Sequence, residues 1–285
     1  MKKVGYFFFC FLPVFASIAL QFLAMLPIAG IVILKHALSG MLSGSKIQYE
    51  ELIMLLSSEF SSQSFTMIVS VLYAICGILI FGIWYRGQFQ GDLHFPVKNF
   101  FKPGLIFGLI FLVPGLQLAS SVITAVSASL FPGWMDFYER LIDTAGLSQS
   151  PTLLLILYAV ILGPISEEFV FRGVILSSAK KALPFWAANL FQAVLFGIFH
   201  MNLIQGIYAF FIGLFLGYVC HRGGSIWLSV FLHILYNFWG TCVTFILDYP
   251  LIILLFIPLG ILGFILFYKN TSKKSVNHFP DFSDM

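Results

Sequence analysis

The chain has 285 residues, of which 60% are hydrophobic and 9% are charged, and its mean hydropathy is +0.98. A soluble globular domain carries about 25% charged residues, so this composition excludes an ordinary soluble domain and predicts an integral membrane protein. The net charge of +3 is small and the basic residues are scattered, which argues against nucleic acid as a partner and favours membrane lipid. The four cysteines form no C-x-x-C pair, so neither a zinc knuckle nor a disulfide framework is expected.

Eight apolar segments are long enough to cross a bilayer as helices, which predicts an all-α membrane protein. The first segment follows Lys2 and Lys3 and is longer than the ~7–15 apolar residues of a signal peptide, so it is expected to be an uncleaved span. The predicted spans are residues 5–34, 66–85, 104–128, 152–176, 183–201, 203–220, 225–247 and 250–268.

The distribution of basic residues gives an independent test of this topology, because the spans are defined by hydropathy alone. With the N-terminus in the cytoplasm, eleven of the fifteen Lys and Arg residues lie in predicted inside segments and three in outside segments. Arg172 alone lies within a span. Cytoplasmic loops are enriched in basic residues, so we expect both termini in the cytoplasm. The Phe-rich, Lys-containing composition suggests a bacterial plasma membrane.

Three connecting or terminal segments have a polar character of their own. Residues 36–65 are Ser-rich and are expected outside, and residues 270–285 are expected to form a short cytoplasmic tail. Residues 133–147 predict a short amphipathic helix on the outer membrane surface, which serves either as a connector or as a substrate-binding element. Its apolar face is expected to carry Trp134, Tyr138, Leu141 and Ala145.

Ionisable and polar residues within the spans are concentrated in the fourth, fifth and seventh. A charge at the bilayer centre costs at least ~2.5–3.5 kcal/mol, so such residues usually mark a functional site. Because lipid cannot satisfy polar groups, the three helices must turn these residues inward around a polar cavity. The residues are Glu167, Glu168, Arg172, His200, His233 and Asn237.

The spacing of the first three charges gives them separate expected roles. Glu168 and Arg172 are four residues apart and can form an ion pair that lowers the cost of inserting both charges. This pair is interpreted either as helix support alone or as support that also contacts substrate. Glu167 lies ~100° further round the helix and is expected to face elsewhere, with burial raising its pKa towards that of a general base.

Two further sets of residues are expected to hold helices together. Asn189 and Gln192 lie on the same face of the fifth span as His200, and amides of this kind commonly bridge membrane helices. The spacing of Gly206, Gly213 and Gly217 predicts a face on the sixth span where another helix packs closely.

Three motifs on separate spans resemble the ordered motifs of the CPBP intramembrane protease family, which includes the type II CAAX prenyl endopeptidases and the bacterial Abi proteins. The resemblance covers about a third of the chain and implies a catalytic core at residues 150–247. Residues 1–149 would then hold the first three spans, and residues 248–285 the last span and the tail. The motifs are Glu167-Glu168-x-x-x-Arg172, Phe196-x-x-x-His200 and His233-x-x-x-Asn237.

The resemblance implies an endopeptidase that hydrolyses a peptide bond within the membrane. Glu167 and His200 would activate water, and His233 and Asn237 would donate hydrogen bonds to the oxyanion of the tetrahedral intermediate. The expected substrate is a peptide or membrane protein, such as a prenylated peptide, a peptide pheromone or a bacteriocin precursor.

Three alternatives remain open at this point. Glu167, His200 and His233 form a His₂Glu set that could bind zinc, although the sequence lacks H-E-x-x-H and a mechanism without a cofactor is favoured. The second alternative is a non-enzymatic membrane immunity or sensor-regulating protein of the Abi type. The third is a proton-coupled transporter, which no internal repeat supports.

The predicted depths of the site residues do not agree. His200 lies ~25 Å along its helix from residue 183, at 1.5 Å per residue, whereas His233 is only eight residues from Ser225. Glu167 is 13 residues from Lys180. A common site therefore requires the fifth span to be short, tilted or to begin deeper in the membrane.

Overall fold

A computed structural model describes residues 3–43, 48–89, 102–146, 151–243 and 250–271. All regular secondary structure within these ranges is helical, as predicted. The helices are α1 (Lys3–Phe9), α2 (Leu12–Ser43), α3 (Tyr49–Phe60), α4 (Gln63–Gln88), α5 (Pro103–Leu130), α6 (Pro132–Ala145), α7 (Leu153–Ala179), α8 (Phe185–Phe199), α9 (Leu203–Gly223), α10 (Ile226–Cys242), α11 (Pro250–Ile253) and α12 (Phe256–Asn270).

Six apolar helical stretches are long enough to cross a bilayer, so the chain is an all-α, multi-pass integral membrane protein. They are α1 with α2, then α4, α5, α7, α9 and the stretch Leu251–Asn270. The other two predicted spans are shorter than expected, since α8 has 15 residues and α10 has 17. The expected continuation of the seventh span over 244–247 and the expected tail beyond residue 271 lie outside the described residues.

Two helix pairs pack with their backbones almost in contact. Between α8 and α9, a Cβ atom added at Gly197 would lie 2.6 Å from the carbonyl oxygen of Gly206. Between α5 and α12, a Cβ atom added at Gly263 would lie 2.5 Å from the backbone nitrogen of Leu112. Such close approach maximises van der Waals contact where no hydrophobic effect drives helices together. The predicted packing face of α9 is therefore confirmed, and the α5–α12 pair is a second interface of the same kind.

The helix that carries the glutamates departs twice from regular α-helical geometry. Leu157–Leu162 and Phe169–Leu176 are π-helical, and they flank the α-helical turn Gly163–Glu168. π-Helical insertions are rare and occur often at functional sites. The turn also packs closely on α4, because Gly77 of α4 leaves room for the Ser166 hydroxyl, which a Cβ atom at that position would meet.

The conflict of depths is resolved by where α8 and α10 begin. At the start of α8, the Phe185 ring stacks on the His221 imidazole with centroids 3.8 Å apart. At the start of α10, Ile226 packs against Gly173 of α7, and the Trp227 ring lies 5.8 Å from that of Phe169. Helix α10 thus begins beside Phe169 and Gly173 rather than at the end of α7, which brings His233 alongside the glutamates.

A tight turn makes this deep start feasible. Gly224 adopts a left-handed conformation, with φ of 66°, and closes α9. The next residue, Ser225, caps α10, because its hydroxyl accepts a hydrogen bond from the Trp227 backbone N–H at 3.2 Å. Residues other than glycine rarely adopt that φ. The Gly-Gly-Ser sequence therefore allows the chain to reverse its direction inside the protein and to start α10 with a capping serine.

Helix α6 forms where the sequence predicts it, but its apolar face is divided. Tyr138 and Ala145 face the protein: the Tyr138 hydroxyl lies 3.3 Å from that of Tyr208 on α9, and the Ala145 carbonyl accepts a hydrogen bond from Gln63 on α4. Trp134 and Leu141 are exposed, which is the arrangement expected of a helix lying at a membrane surface.

The predicted outer connection over 36–65 is helical where it is described. Helix α2 continues to Ser43 and α3 spans Tyr49–Phe60, while residues 44–47 lie outside the described ranges. The Lys35 ammonium donates to the Glu59 carboxylate at 2.8 Å, and this cation lowers the pKa of Glu59. The ion pair ties α3 to α2.

Candidate active site

The Glu168–Arg172 ion pair forms as predicted and lies at the centre of the protein. Nη1 of Arg172 donates to Oε1 of Glu168 at 2.8 Å, and neither side chain has any exposed surface. Nη2 donates to the carbonyl oxygen of Gly213 on α9 at 3.1 Å, and the guanidinium carbon lies 4.6 Å from the centre of the Phe196 ring. Charges that are completely buried persist only with partners of this quality, so the pair fixes α7 against α8 and α9.

His233 lies between the two glutamates. Its Nδ1 is 2.8 Å from Oε1 of Glu168, and since a carboxylate only accepts, Nδ1 carries the hydrogen. Its Nε2 is 3.8 Å from Oε2 of Glu167. Glu167 thus stays outside the Glu168–Arg172 pair, and α10 inserts one imidazole between the two carboxylates, which helical spacing alone did not predict.

His200 ends α8 and its orientation is fixed by the helix it terminates. Its Nδ1 donates to the carbonyl oxygen of Phe196 at 2.8 Å, so the other ring nitrogen, Nε2, is left for contacts beyond the helix. The charge of Glu167 lies within electrostatic range of this imidazole. The structure therefore brings His200 to the same site as Glu167 and His233.

Phe196 is the shared wall of the site, a role that the sequence did not reveal. Its ring, 1% exposed, packs edge-on against His200 at 4.8 Å and His233 at 6.0 Å between centroids. Arg172 covers one face of the same ring. In the sequence, Phe196 is only the first position of the second motif, and a phenylalanine in an apolar span gives no further signal of its function.

Asn237, for which the motifs predict a catalytic role, makes a hydrogen bond that joins α10 to α7. Its side-chain nitrogen donates to the carbonyl oxygen of Ala159 at 2.8 Å, and Ala159 lies in the first π-helical segment of α7. Because an amide carries two hydrogens, this bond leaves a second donor. The contact holds α10 beside α7 one turn beyond His233.

The predicted bridging amides do connect α8 to α9. Asn189 donates to the carbonyl oxygen of Leu214 at 2.9 Å, and Gln192 donates to that of Gly213 at 3.0 Å. Gly213 thus accepts from both Gln192 and Arg172. The two amides are completely buried, so they support the ion pair without facing the site.

Tyrosine hydroxyls around Glu167 were not predicted. Tyr73, Tyr158 and Tyr208 each lie within electrostatic range of its carboxylate. Tyr73 also shares a hydrogen bond with Ser17 of α2. Tyrosines in apolar spans resemble packing aromatics in the sequence, and only the fold shows that three of them lie within electrostatic range of one carboxylate.

The donors of the site do not fit a metal ion. In the described ranges, no three His, Cys, Asp or Glu side chains converge as metal ligands would. The Nδ1 atoms of His200 and His233 are bound to Phe196 and Glu168, so only the two Nε2 atoms could bind a metal.

Comparison with known proteins agrees with the motifs. Residues 149–239 match the family model described as type II CAAX prenyl endopeptidase Rce1-like. Over 84 residues, which are 30% of this chain, the sequence is 32% identical to "Putative membrane peptidase YdiL" of Bacillus subtilis (strain 168). The chain spans 34% of the length of that relative. No solved structure matches. Both matches support the resemblance that the three motifs carry, and the family match covers residues 149–239.

Proposed function

We propose that the protein is an intramembrane endopeptidase that hydrolyses a peptide bond of a peptide or membrane protein. The observation that carries the proposal is that His233 lies between Glu167 and Glu168 and shares the Phe196 ring with His200, within the family-matched segment. A helix-packing role does not require two imidazoles and a partly exposed carboxylate on three separate helices.

Water would be activated beside Glu167. The 3.8 Å separation between Oε2 of Glu167 and Nε2 of His233 is too long for a direct hydrogen bond, and a water molecule can approach both atoms. Glu167 takes the proton as the water oxygen attacks the carbonyl carbon, and it returns that proton to the leaving amine. His200 presents Nε2 to the same region and orients the water.

The charges of the site explain how His233 stabilises the oxyanion. When His233 is an imidazolium, its charge and that of Arg172 balance Glu167 and Glu168, which suits a site of low dielectric. Its Nδ1–H then donates to Glu168 and its Nε2–H is available to the oxyanion, beside the second amide hydrogen of Asn237. Each such donor contributes about 2.7–4 kcal/mol to the transition state.

The test is Glu167→Gln in protein reconstituted into lipid vesicles. Cleavage is measured on a panel of peptides with a farnesylated C-terminal cysteine and of unmodified apolar peptides. Replacing the base by an isosteric amide is expected to lower cleavage by a factor of about 10²–10⁴ with the fold retained. The matched control is Glu51→Gln, an exposed carboxylate on α3, which is expected to keep full activity.

Two results would count against the proposal, one against the assigned base and one against the peptidase role. Equal cleavage by the wild type and Glu167→Gln would show that this carboxylate is not the base. A cellular phenotype that Glu167→Gln leaves unchanged would favour the non-enzymatic immunity or sensor-regulating role.

The proposed topology has both termini in a bacterial cytoplasm. The support is the excess of basic residues in the segments expected inside. A reporter fused to the C-terminus and active only in the cytoplasm should be active, and the same reporter inserted after Ser43 should be inactive. The opposite result at either position would reverse or change the predicted topology.

A further inference from the structure

A cavity of about 350 Å³ lies at the end of the bundle where α1 begins and where α4 and α7 end. It is remote from the glutamates and takes no part in the proposed chemistry. Its walls come from three parts of the chain. The lining residues are Tyr6, Phe9, Gln88, Phe89 and Lys181.

Lys181 places a positive charge among the aromatic walls of this cavity. Its ammonium lies 4.6 Å from the centre of the Phe89 ring and 5.5 Å from that of Tyr6. Phe89 is 2% exposed, so the ring that holds the ammonium is itself fixed by packing. The ring faces attract the cation and position it, but they leave its N–H donors available.

No anionic side chain balances this charge within the part of the chain that the structure describes. The ion pairs found there involve Glu59, Glu167 and Glu168, and none includes Lys181. The cavity is therefore lined by a positioned cation and by two residues with polar side chains, Gln88 and Tyr6.

The position of the cavity indicates which anion is available. Gln88 is the last residue of α4, and Lys181 is the second residue after α7, so both lie where membrane spans end and lipid headgroups begin. We predict this end to be cytoplasmic from the basic residues. Anionic lipids of the cytoplasmic leaflet concentrate there, and basic pockets between helices on that side bind their headgroups.

We propose that this cavity binds the phosphate of an anionic phospholipid headgroup, with Lys181 and Gln88 as donors. Phe9 and Phe89 form the apolar walls along which the glycerol end of the lipid lies. Free phosphate shares the same recognition chemistry. The proposal does not depend on peptidase activity, because no residue of the cavity belongs to the candidate active site.

The test compares thermal unfolding of the full chain in bilayers of phosphatidylcholine with and without phosphatidylglycerol. A ligand that binds only the folded protein raises the midpoint, and we expect a rise of about 2–4 °C for the wild type. Lys181→Gln should lose most of the rise and Lys181→Arg should keep it. Gln88→Ala, a change at an exposed position, should lose part of it.

The matched control is Lys102→Gln, the same change at an exposed lysine outside the cavity. It separates the site from general attraction of an anionic surface, and it should keep the full rise. An equal response of Lys181→Gln and the wild type, or an equal loss in Lys102→Gln, would overturn the proposal. If millimolar inorganic phosphate in phosphatidylcholine reproduced the whole rise, the lipid would be excluded as the source and free phosphate would be the ligand.

Discussion

Two interfaces within the same bundle are built on opposite principles. Between α5 and α12, glycines such as Gly115 and Gly260 bring the helices together with no side chain between them. Between α7 and α10, the His233 imidazole binds Glu168, which is itself paired with Arg172 on α7. The first interface is stable because the two helix surfaces are complementary in shape, and its glycines offer no group that could react with a substrate. The second is stable only while every charge keeps its partner, and the same charges can act on a substrate.

The largest effect is expected from removing one partner at the charged interface. Arg172→Met leaves the completely buried Glu168 without its cation, and breaking such a pair typically costs about 3–5 kcal/mol. We expect unfolding at a much lower temperature, or failure to accumulate in the membrane, together with loss of cleavage. Thermal unfolding in vesicles measures the first and immunoblotting of membranes the second.

The exposed ion pair provides the control for this prediction. Lys35→Met breaks the pair between α2 and Glu59 of α3, where the lysine side chain is 59% exposed. Exposed pairs contribute little to stability, so the unfolding temperature should barely move. If the two variants were equally stable, burial of the Glu168–Arg172 pair would not be what makes it necessary.

A smaller effect is expected at the glycine interface. In Gly263→Ala the new methyl would lie 2.7 Å from the carbonyl oxygen of Gly108, so α5 and α12 must separate. Overpacking of this kind costs about 1–3 kcal/mol. Activity per folded molecule should be unchanged at low temperature, because no residue of the site lies on either helix. Unfolding and cleavage measured on one sample separate the two effects.

The control for the glycine interface is Gly30→Ala on α2, where the added methyl would meet nothing within 4 Å. Alanine favours a helix by about 1 kcal/mol over glycine, so this variant should be as stable as the wild type or more so. A loss of cleavage per folded Gly263→Ala molecule would mean that the two interfaces are coupled.

The sequence predicted each element of the charged interface but not how the elements meet. Glu168 and Arg172 are four residues apart on one helix, so their pairing follows from helical spacing alone. The position of His233 between two carboxylates does not follow, because it depends on the deep start of α10 after the Gly224 turn. The π-helical segments also change the direction of side chains on α7, and a regular periodicity of 3.6 residues does not encode them.

The glycine interfaces were predicted only in part, for a related reason. Gly206, Gly213 and Gly217 fall on one face of a single helix, and a spacing pattern shows this directly. Gly108 and Gly263 are far apart in the chain, and only the fold makes them neighbours. Local periodicity therefore predicted which faces pack, while the partner of each face required the three-dimensional structure.

Phe196 tests whether the charged interface requires a rigid wall as well as charges. Phe196→Leu removes the ring that both imidazoles contact, and a displacement of catalytic groups by about 1 Å can lower the rate about 10²-fold. Phe196 acts through the histidines, so we expect kcat to fall while KM changes little. Steady-state cleavage kinetics measure both values.

The control for Phe196 is Phe191→Leu on the same helix, a half-buried ring that packs on Phe7 and Phe11 away from the site. Both variants remove an aromatic ring from α8, and the change at the half-buried Phe191 should cost less stability than the change at Phe196. A similar fall in kcat for both would mean that Phe196 contributes packing alone and does not position the histidines.

Removal of metal ions is expected to leave cleavage unchanged, which is the smallest effect of the series. Within the described ranges, no three His, Cys, Asp or Glu side chains converge as metal ligands would. Oε2 of Glu167 lies 3.8 Å from Nε2 of His233, a separation that a water molecule can bridge without a metal ion. Cleavage should therefore survive exhaustive dialysis against a chelator, with no stoichiometric metal in the purified protein by elemental analysis. Loss of cleavage that returns on adding zinc would instead make these residues ligands, and the interface would then depend on a bound ion.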